Sequence, residues 1–298
     1  MINFLIDPLG FQNREFVVEL ERRDNFNVIA LSDYIPNGDL AQYDDVDWRG
    51  NQETKKLQEA IRSVNGTTFF KGCCENVNAV HFPIYINDFL FYNDDYFYDF
   101  TYWMNKGLAE VALNKDYAVV SAKELKRQIW LYYKTFSVDT KIFVRPDHGY
   151  KAFTGCLVDL QDFDQWYVNS ITEENENYQV IVSTPKKIRG EWRFVCYKRR
   201  QGESGEILAR SCYMFDGNIT EVPHAPPGAE GLVLECIKSY DAYQDEGGGA
   251  FFVMDICQDY EGNFHFLEIN SLECSGLYAC NPDKILDKIE EGYKVDSD

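Results

Sequence analysis

Three oxygen-bearing side chains stand out near the end of the chain. Asp255 lies near the end of the apolar run FFVMDI, and Glu268 and Asn270 stand two residues apart in FHFLEIN. Alternate residues of a strand point to one face, and a hairpin turn through Gly262 would bring Asp255 beside the other two. Carboxylate and amide oxygens are the ligands that Mg²⁺ takes together with phosphate oxygens. A solvated sheet face is the alternative, but the apolar flanks favour a semi-buried position, where acids need nearby cations.

Three basic residues are candidates for holding phosphate. Arg145 ends the strand-like segment KIFVRP, and Lys151 lies in the glycine-containing segment GYKAFTG, which is typical of a loop that covers a polyphosphate. Arg193 stands two residues after Glu191 in EWRFV, and its planar guanidinium matches phosphate oxygens. Taken singly, these features are equally compatible with a surface turn or an exposed Glu–Arg pair. Neither G-x-x-x-x-G-K-[ST] nor G-x-G-x-x-G occurs in the chain.

Two further segments are candidates for ligand contact. The segment QVIVSTP carries Val182 and Ser183, whose free backbone groups are expected to meet an adenine edge. Ser275 and Gly276 lie in a small-residue turn after the predicted metal strand, and such turns can present N–H groups to anions, although a plain loop is the commoner outcome. Of the four histidines, only His148 lies in the candidate phosphate loop, and none belongs to a Ser/His/Asp or Cys/His pattern.

Composition excludes several classes of protein. The chain has 298 residues, is 45 % hydrophobic and carries a formal charge of -20, as expected for a folded protein that does not bind nucleic acid or anionic membranes. A basic protein partner would be attracted. No apolar run reaches the length of a membrane-spanning helix, and the N-terminus lacks a basic, signal-like region. The nine cysteines contain no C-x-x-C pair, which favours reduced thiols in the cytoplasm.

The elements that must position these residues fall into two predicted domains, at 1–115 and 116–298. The first contains the strand NFLID, a helix over 11–24, the strand-like FNVIALSDY, a helix at 54–64 and the strand GTTFFKG. The aromatic-rich stretch 82–105 is either core or a substrate wall.

The second predicted domain begins with a helix and continues with strands. Ser121 is a predicted N-cap and Glu124 completes a capping box, so one helix is expected to follow, with Leu125, Ile129 and Phe136 on its apolar face. The remainder is rich in strand-like segments, with one strong helix, VLECIKSYDAY, over 233–243.

Taken together, these motifs resemble the ATP-grasp superfamily over about residues 140–281. The Asp…Glu-x-Asn pattern resembles the magnesium ligands of that family. More closely, FVRPD, GYKAFTG, EWRFV and EIN followed by SGLY look like a divergent clade found in bacteria and phages. The same clade includes a eukaryotic cell-division-cycle protein that assembles translation initiation factor two. FFKG and LNKDY extend the likeness towards most of the chain.

The resemblance implies an α/β (α+β) ATP-grasp fold with an N-terminal α/β pre-ATP-grasp-like domain, and ATP and Mg²⁺ as cofactors. Arg145 stands where most ATP-grasp proteins carry a lysine, and Glu191 fits the clade pattern without an assigned role. The roles implied are: Arg145 at the α- and β-phosphates; Lys151 over the phosphates; Val182 and Ser183 at adenine; Arg193 at the γ-phosphate; Asp255, Glu268 and Asn270 at Mg²⁺; Ser275 and Gly276 at substrate.

The reaction implied is ligation through an acyl-phosphate, which needs charge neutralisation around the transferred phosphoryl group rather than a covalent nucleophile. Arg193 and Lys151 are the predicted catalytic cations. The expected substrate is a small molecule, a peptide or a protein. Two alternatives remain: an ATP-binding assembly factor without ligase activity, and a phosphotransferase. A ligase should possess a second pocket near Lys71–Gly72, which an assembly factor could lack.

Overall fold

The computed structural model describes most of the C-terminal half of the chain and parts of the N-terminal half. The predicted Lys151, the glycine before its neighbouring tyrosine and most of the stretch 82–105 lie outside the described residues. The predicted helix at 54–64 is helical where it is described. The described residues are 2–6, 14–34, 55–57, 59–60, 67–72, 98–148, 153–173, 175–198, 204–239 and 250–296.

The N-terminal unit contains a three-stranded parallel sheet in the order β2-β1-β3. Every residue of β1 is buried, as expected for a central parallel strand that is covered on both faces. Phe4 on β1 packs against Phe16 on α1 and Phe69 on β3, with ring centroids 5.9 and 5.4 Å away. The predicted α/β character is confirmed. The elements are β1 (Ile2–Ile6), α1 (Arg14–Glu21), β2 (Phe26–Ala30) and β3 (Thr67–Lys71).

A short helix from the aromatic-rich stretch precedes the second unit. It begins as an α-helix, α2 (Phe100–Trp103), and continues as a π-helical turn over Met104–Leu108. Phe100 and Trp103 are each 1 % exposed and belong to the core of the large sheet described below. The described end of the aromatic stretch is therefore core.

A four-stranded antiparallel sheet follows, in the order β4-β7-β5-β6. The hydroxyl of Ser121 accepts a hydrogen bond from the Glu124 N–H at 3.2 Å, which confirms the predicted N-cap. The single helix predicted after it is wrong, because Gln128 leaves helical geometry and separates two helices. The elements are β4 (Tyr117–Ser121), α3 (Ala122–Arg127), α4 (Ile129–Phe136), β5 (Lys141–Pro146), β6 (Cys156–Asp159), α5 (Phe163–Ser170) and β7 (Gln179–Ser183).

A five-stranded antiparallel sheet, in the order β10-β9-β8-β11-β12, forms the centre of the second half. The predicted hairpin is present, and Gly262 at its tip has a φ of 92°, which favours glycine. The predicted helix over 233–243 begins earlier, at Pro227. The elements are β8 (Ile188–Lys198), β9 (Glu206–Phe215), β10 (Asn218–Val222), α6 (Pro227–Ser239), β11 (Ala250–Asp259), β12 (Phe264–Ser271) and α7 (Asp283–Asp296).

The five-stranded sheet has apolar side chains on both faces. On one face, Phe194 and Met254 pack with α6 and the Phe100–Leu108 segment. On the other, Val195 and Val253 share a core with the N-terminal sheet and α7. An ion-pair cluster also joins the N-terminal unit to α7, in which Arg23 lies 2.7 Å from Asp287 and 3.2 Å from Glu290.

Two predictions about the chain as a whole can be compared with this fold. The chain enters the four-stranded sheet at Tyr117, whereas the boundary at 115 itself stays a prediction. Among the helices of the described residues, none combines the length and the apolar character needed to cross a bilayer.

Candidate ATP site between the two antiparallel sheets

The predicted ligands share one face of neighbouring strands of the large sheet. Asp255 on β11 stands opposite Arg193 on β8 and opposite Glu268 on β12. Asn270 stands opposite Val253, two residues before Asp255, so strand alternation keeps it on the same face. The intervening side chains, such as Met254, enter the core on the opposite face. The spacing that indicated a shared face is therefore confirmed.

Arg193 and Asp255 form a bidentate ion pair. The guanidinium donates from Nε to Oδ1 at 2.9 Å and from Nη2 to Oδ2 at 2.7 Å, and Asp255 is only 1 % exposed. Burial disfavours the charged guanidinium, but the adjacent carboxylate outweighs it and the pKa of Arg193 is raised. The rings of Tyr213 and Tyr278 lie 5.6 and 5.0 Å from the guanidinium carbon. The arginine is thus fully charged and held in one orientation.

Arg145 and Glu268 form a second pair across the cleft. Arg145 reaches from β5 of the four-stranded sheet, and its Nη2 donates to Glu268 Oε2 at 3.1 Å. The Asn270 amide donates to the other carboxylate oxygen at 3.0 Å. Phe100 and Trp103 lie 5.5 and 5.8 Å from the Arg145 guanidinium carbon. One basic and one acidic residue from different sheets therefore meet where the phosphate site was predicted.

The donor chemistry of this face fits Mg²⁺. A carboxylate oxygen has two lone pairs, so an oxygen of Asp255 or Glu268 that accepts an arginine N–H can still bind a cation. Asn270 supplies an amide oxygen beside Glu268, and all three are hard ligands suited to Mg²⁺. Within the described residues, no group of three His, Cys, Asp or Glu side chains is arranged for a metal. The predicted set depends on the amide for its third donor.

A cavity of about 360 Å³ lies between the two antiparallel sheets, beside these pairs. Its volume falls within the range of small-molecule sites. Apolar side chains form much of the wall, and charged or polar groups converge at one end. The lining residues are Leu113, Asn114, Phe143, Arg145, Pro146, Thr154, Gly155, Leu157, Lys186, Ile188, Glu191, Tyr213, Leu267 and Glu268.

Val182 and Ser183 are not among the residues that line this cavity. Both stand in register with β4 on one side and β5 on the other, so the expectation of free backbone groups is wrong for these positions. Val182 is fully buried in the core of the four-stranded sheet. The segment between β7 and β8 leaves the sheet and supplies Lys186, whose ammonium pairs with Asp116 at 2.6 Å. Contact of Val182 and Ser183 with adenine stays a prediction.

Glu191 lines the cavity on the same face as Arg193. The hydroxyl of Tyr213 donates to its carboxylate at 2.6 Å. Burial raises the pKa of Glu191, and the negative charges of Asp255 and Glu268 raise it further. The cavity therefore contains a carboxylate whose ionisation is opposed by its surroundings.

We expect Glu191→Gln to raise the free energy of unfolding at neutral pH. Since the pKa of Glu191 is raised on folding, the folded state binds the proton more tightly than the unfolded chain, and the ionised form destabilises the fold. The gain from the substitution should be absent below the ordinary glutamate pKa of about 4.3 and should grow as the pH rises above it. Urea unfolding at acidic and neutral pH measures the difference. Glu235→Gln, at an exposed position of α6, is the control, and an equal response in both variants would contradict the expectation.

The turn after β12 presents carbonyl groups rather than N–H groups. The Gly276 carbonyl accepts a hydrogen bond from Arg193 Nη1 at 2.7 Å, and the Ser275 carbonyl accepts one from Lys71 Nζ at 2.6 Å. The Ser275 N–H donates to Leu272 within the turn. The expectation that Ser275 offers its N–H to an anion is therefore wrong. Contact of Ser275 and Gly276 with substrate stays a prediction.

Sequence analysis missed several residues of this site. Tyr213 and Tyr278 flank Arg193, and nothing in their spacing signals it, since they come from β9 and from the segment before α7. Lys71 contacts the turn after β12 from the N-terminal sheet. His148, predicted to be near the site, lies 3.9 Å from Asp99 and does not line the cavity.

The arrangement of two antiparallel sheets around a phosphate-sized cluster of arginines and acids is that of the ATP-grasp fold. Similar solved structures include D-cycloserine synthetase, at 12 % identity over 96 % of both chains with a TM-score of 0.52. An ADP complex of N5-carboxyaminoimidazole ribonucleotide synthetase has 12 % identity, covers 90 % of this chain and 69 % of the other, and has a TM-score of 0.52. D-alanine–D-alanine ligase from Bacillus anthracis has 11 % identity, 98 and 93 % coverage and a TM-score of 0.51.

The sequence places the chain in a particular family of this class. Residues 125–288, more than half of the chain, match the family model of an ATP-grasp domain that is described as family 2 of its clade. The chain belongs to this family. The comparison with curated proteins gives no match.

Proposed function

We propose that this protein is a Mg-ATP-dependent ligase that joins a carboxylate to an amine or thiol through an acyl-phosphate. The observation that carries the proposal is the meeting of Arg145, Arg193, Asp255, Glu268 and Asn270 at one end of the cavity between the two sheets. These five residues provide cations for a triphosphate and hard oxygen ligands for its metal. Membership of the ATP-grasp family supports the same conclusion.

In the proposed reaction, an oxygen of the substrate carboxylate attacks the γ-phosphorus of ATP, and ADP leaves. The amine or thiol then attacks the acyl carbon, forms the new bond and releases phosphate. The chain contributes charge at both stages, because Arg145 and Arg193 are oriented before any ligand arrives. Asp255, Glu268 and Asn270 would hold Mg²⁺, which when bound neutralises phosphate oxygens as a Lewis acid. Lys151 would cover the phosphates, as the resemblance implies.

The base of the nucleotide would occupy the apolar part of the cavity. Leu113, Phe143 and Ile188 supply apolar surface there, and Asn114 and Lys186 supply polar groups that fix orientation. Because Val182 and Ser183 lie within the sheet, the backbone of 184–187 is the better candidate for the adenine edge. This assignment refines the predicted adenine segment by a few residues.

We propose an amino-acid-like molecule, a peptide or a protein as the substrate. Two structural neighbours are, by name, a D-alanine–D-alanine ligase and a D-cycloserine synthetase, both concerned with amino-acid-like compounds. The formal charge of -20 would also suit a basic protein substrate or partner. A cytoplasmic location is proposed because the described cysteines are free thiols.

Titration calorimetry and a chemical trap test the proposal together. ATP is titrated into the full chain with and without Mg²⁺, and the mixture is then incubated with candidate carboxylates and hydroxylamine, which converts an acyl-phosphate to a hydroxamate. We expect Mg²⁺-dependent binding, and hydroxamate formation with release of phosphate for the right carboxylate. Binding without any hydroxamate over a broad panel of carboxylates and peptides would favour the assembly-factor alternative. No binding of ATP would overturn the ATP site itself.

A further inference from the structure

A buried lysine of the N-terminal sheet lies next to the proposed active site without lining its cavity. Lys71 is the last residue of β3 and is only 2 % exposed. Its ammonium donates to the Glu273 carbonyl at 3.1 Å and to the Ser275 carbonyl at 2.6 Å. The next residue, Gly72, donates its N–H to the same Glu273 carbonyl at 2.9 Å. The carboxyl end of β3 is therefore fastened to the turn after β12 by three hydrogen bonds.

The same turn supports Arg193. The Gly276 carbonyl accepts a hydrogen bond from Arg193 Nη1 at 2.7 Å, while the other edge of the guanidinium binds Asp255. The Ser275 hydroxyl donates to the Ser271 carbonyl and holds the turn on itself. Consecutive carbonyls, at positions 275 and 276, thus face two different cations, one from each half of the chain.

We propose that Lys71 is a positioning residue for Arg193, acting through the turn at 273–276. A buried ammonium is costly unless its donors are satisfied, and here the acceptors are main-chain carbonyls that have no charge of their own. Lys71 therefore fixes the path of the backbone at Ser275, and the adjacent Gly276 carbonyl fixes the guanidinium. Because Arg193 also binds Asp255, a shift of the turn would move the arginine relative to both the acid and the proposed γ-phosphate position.

This arrangement distinguishes Lys71 from a substrate ligand. The end of a parallel strand is a common place for ligand contact, and a second pocket was expected near Lys71–Gly72. The Lys71 ammonium instead points at the carbonyls of the turn. Its effect on catalysis would reach the phosphate through Arg193. The kinetic part of this inference rests on the proposed function, whereas the mechanical link between Lys71 and Arg193 does not.

Lys198 offers a matched control for the loss of a buried ammonium. It is 3 % exposed and donates to the Ile237 carbonyl at 2.8 Å, at the end of α6. Lys71→Met and Lys198→Met therefore remove the same group from sites of similar burial and acceptor chemistry. Only the first site adjoins the turn that holds Arg193.

The link is tested first by a double-mutant cycle without nucleotide. Lys71→Met and Lys198→Met are each made in the wild-type and the Arg193→Met backgrounds, and the free energy of unfolding is measured in denaturant. Coupled residues give non-additive losses, so Lys71→Met should cost less when Arg193 is already replaced, whereas Lys198→Met should cost the same in both backgrounds. Equal costs of Lys71→Met in the two backgrounds would overturn the inference.

The kinetic test uses Mg-ATP turnover by the same variants. Misplacement of a catalytic group by about 1 Å can cost about a hundredfold, so Lys71→Met should lower kcat about ten- to a hundredfold with little change in the KM for ATP, and Lys198→Met should leave kcat unchanged. Equal kcat values for both variants would overturn the inference. A wild-type protein without turnover would refute the proposed function, and the unfolding cycle would then decide the link alone.

A milder variant keeps the inference testable if Lys71→Met does not fold. Ser275→Ala removes the hydroxyl bond that holds the turn and leaves the buried ammonium with its carbonyl acceptors. We expect the same pattern on a smaller scale, with kcat reduced and the loss of stability coupled to Arg193→Met. Lys71→Arg, which keeps the charge and the donors, should recover part of the kcat lost in Lys71→Met. Wild-type kcat in Ser275→Ala together with additive stabilities would overturn the inference.

Discussion

Arg193→Met is expected to abolish turnover and to destabilise the fold in the same protein. The substitution keeps the length of the side chain but removes the bidentate bond to Asp255 and the bond to the Gly276 carbonyl. Loss of one preorganised charge at a transferred phosphoryl group should lower kcat by about a hundred- to a thousandfold. Breaking a buried ion pair from one side costs about 3–5 kcal/mol of stability. Phosphate release and urea unfolding measure the two effects separately.

Two further variants show whether the arginine acts through its shape or only through its charge. Arg193→Lys keeps a positive charge but not the planar fork, so we expect it to recover stability partly and activity only slightly. Arg189, on the same strand, pairs with Asp216 at 3.4 Å on the surface, and Arg189→Met should change neither property beyond a few tenths of a kcal/mol. If Arg193→Met retained wild-type turnover while remaining folded, the proposed γ-phosphate clamp would be wrong.

The shared face of the site was predictable from the sequence because it follows from local geometry. Glu268 and Asn270 stand two apart on one strand, and Gly262 lies at the tip of the hairpin that brings Asp255 alongside. Strand alternation and turn chemistry are properties of a few consecutive residues. The Ser121 cap is local in the same sense. Such features survive in any fold that keeps the strands paired.

The pairs that complete the site depend on the order of strands, which the sequence pattern does not specify. Asp255 meets Arg193 because β8 lies between β9 and β11 in the sheet, although 62 residues separate the two in the chain. Arg145 meets Glu268 across 123 residues and between two sheets. Lys71 meets Ser275 across 204 residues. Periodicity assigns each residue to a face, but only the packed fold shows which faces oppose one another.

The same distinction explains the predictions that were wrong. The apolar period from Leu125 to Phe136 continues through Gln128, so the pattern alone gives no reason for two helices. The segment QVIVSTP has the composition of a strand, but whether its backbone groups are free depends on whether it is an edge or an interior strand. In this fold β7 is interior. Similarly, the small residues around Gly276 predict a turn but not which backbone groups it presents.

The arginines also explain how a strongly acidic chain holds a triphosphate. The formal charge of -20 would repel ATP at long range. Arg145 and Arg193 are each nearly buried against an acid and two aromatic rings. In that position they are shielded from water, so their charge acts strongly on a phosphate at short range. The acids that orient them are the ones proposed to bind Mg²⁺, so metal and phosphate are expected to bind together.

Glu268→Gln should remove the Mg²⁺ dependence of ATP binding and leave the fold intact. The amide has nearly the same shape as the carboxylate, and its oxygen can still accept a hydrogen bond from Arg145, which also remains stacked on Phe100 and Trp103. What is lost is the negative charge that a cation requires. Changes in groups that only support a metal ligand cost about ten- to a hundredfold in affinity, so loss of a ligand charge should cost at least about a hundredfold.

Calorimetry of ATP binding with and without Mg²⁺ measures this effect, and the hairpin itself supplies the control. Glu261 is an exposed acid at the hairpin tip, and Glu261→Gln makes the same chemical change away from the site, so it should bind Mg-ATP as the wild type does. Asp255→Asn should resemble Glu268→Gln in affinity but should also lose stability, because its carboxylate is the buried partner of Arg193. If Glu268→Gln and Asp255→Asn both bound Mg-ATP with wild-type affinity, the metal assignment would be wrong and the two acids would serve only to orient the arginines.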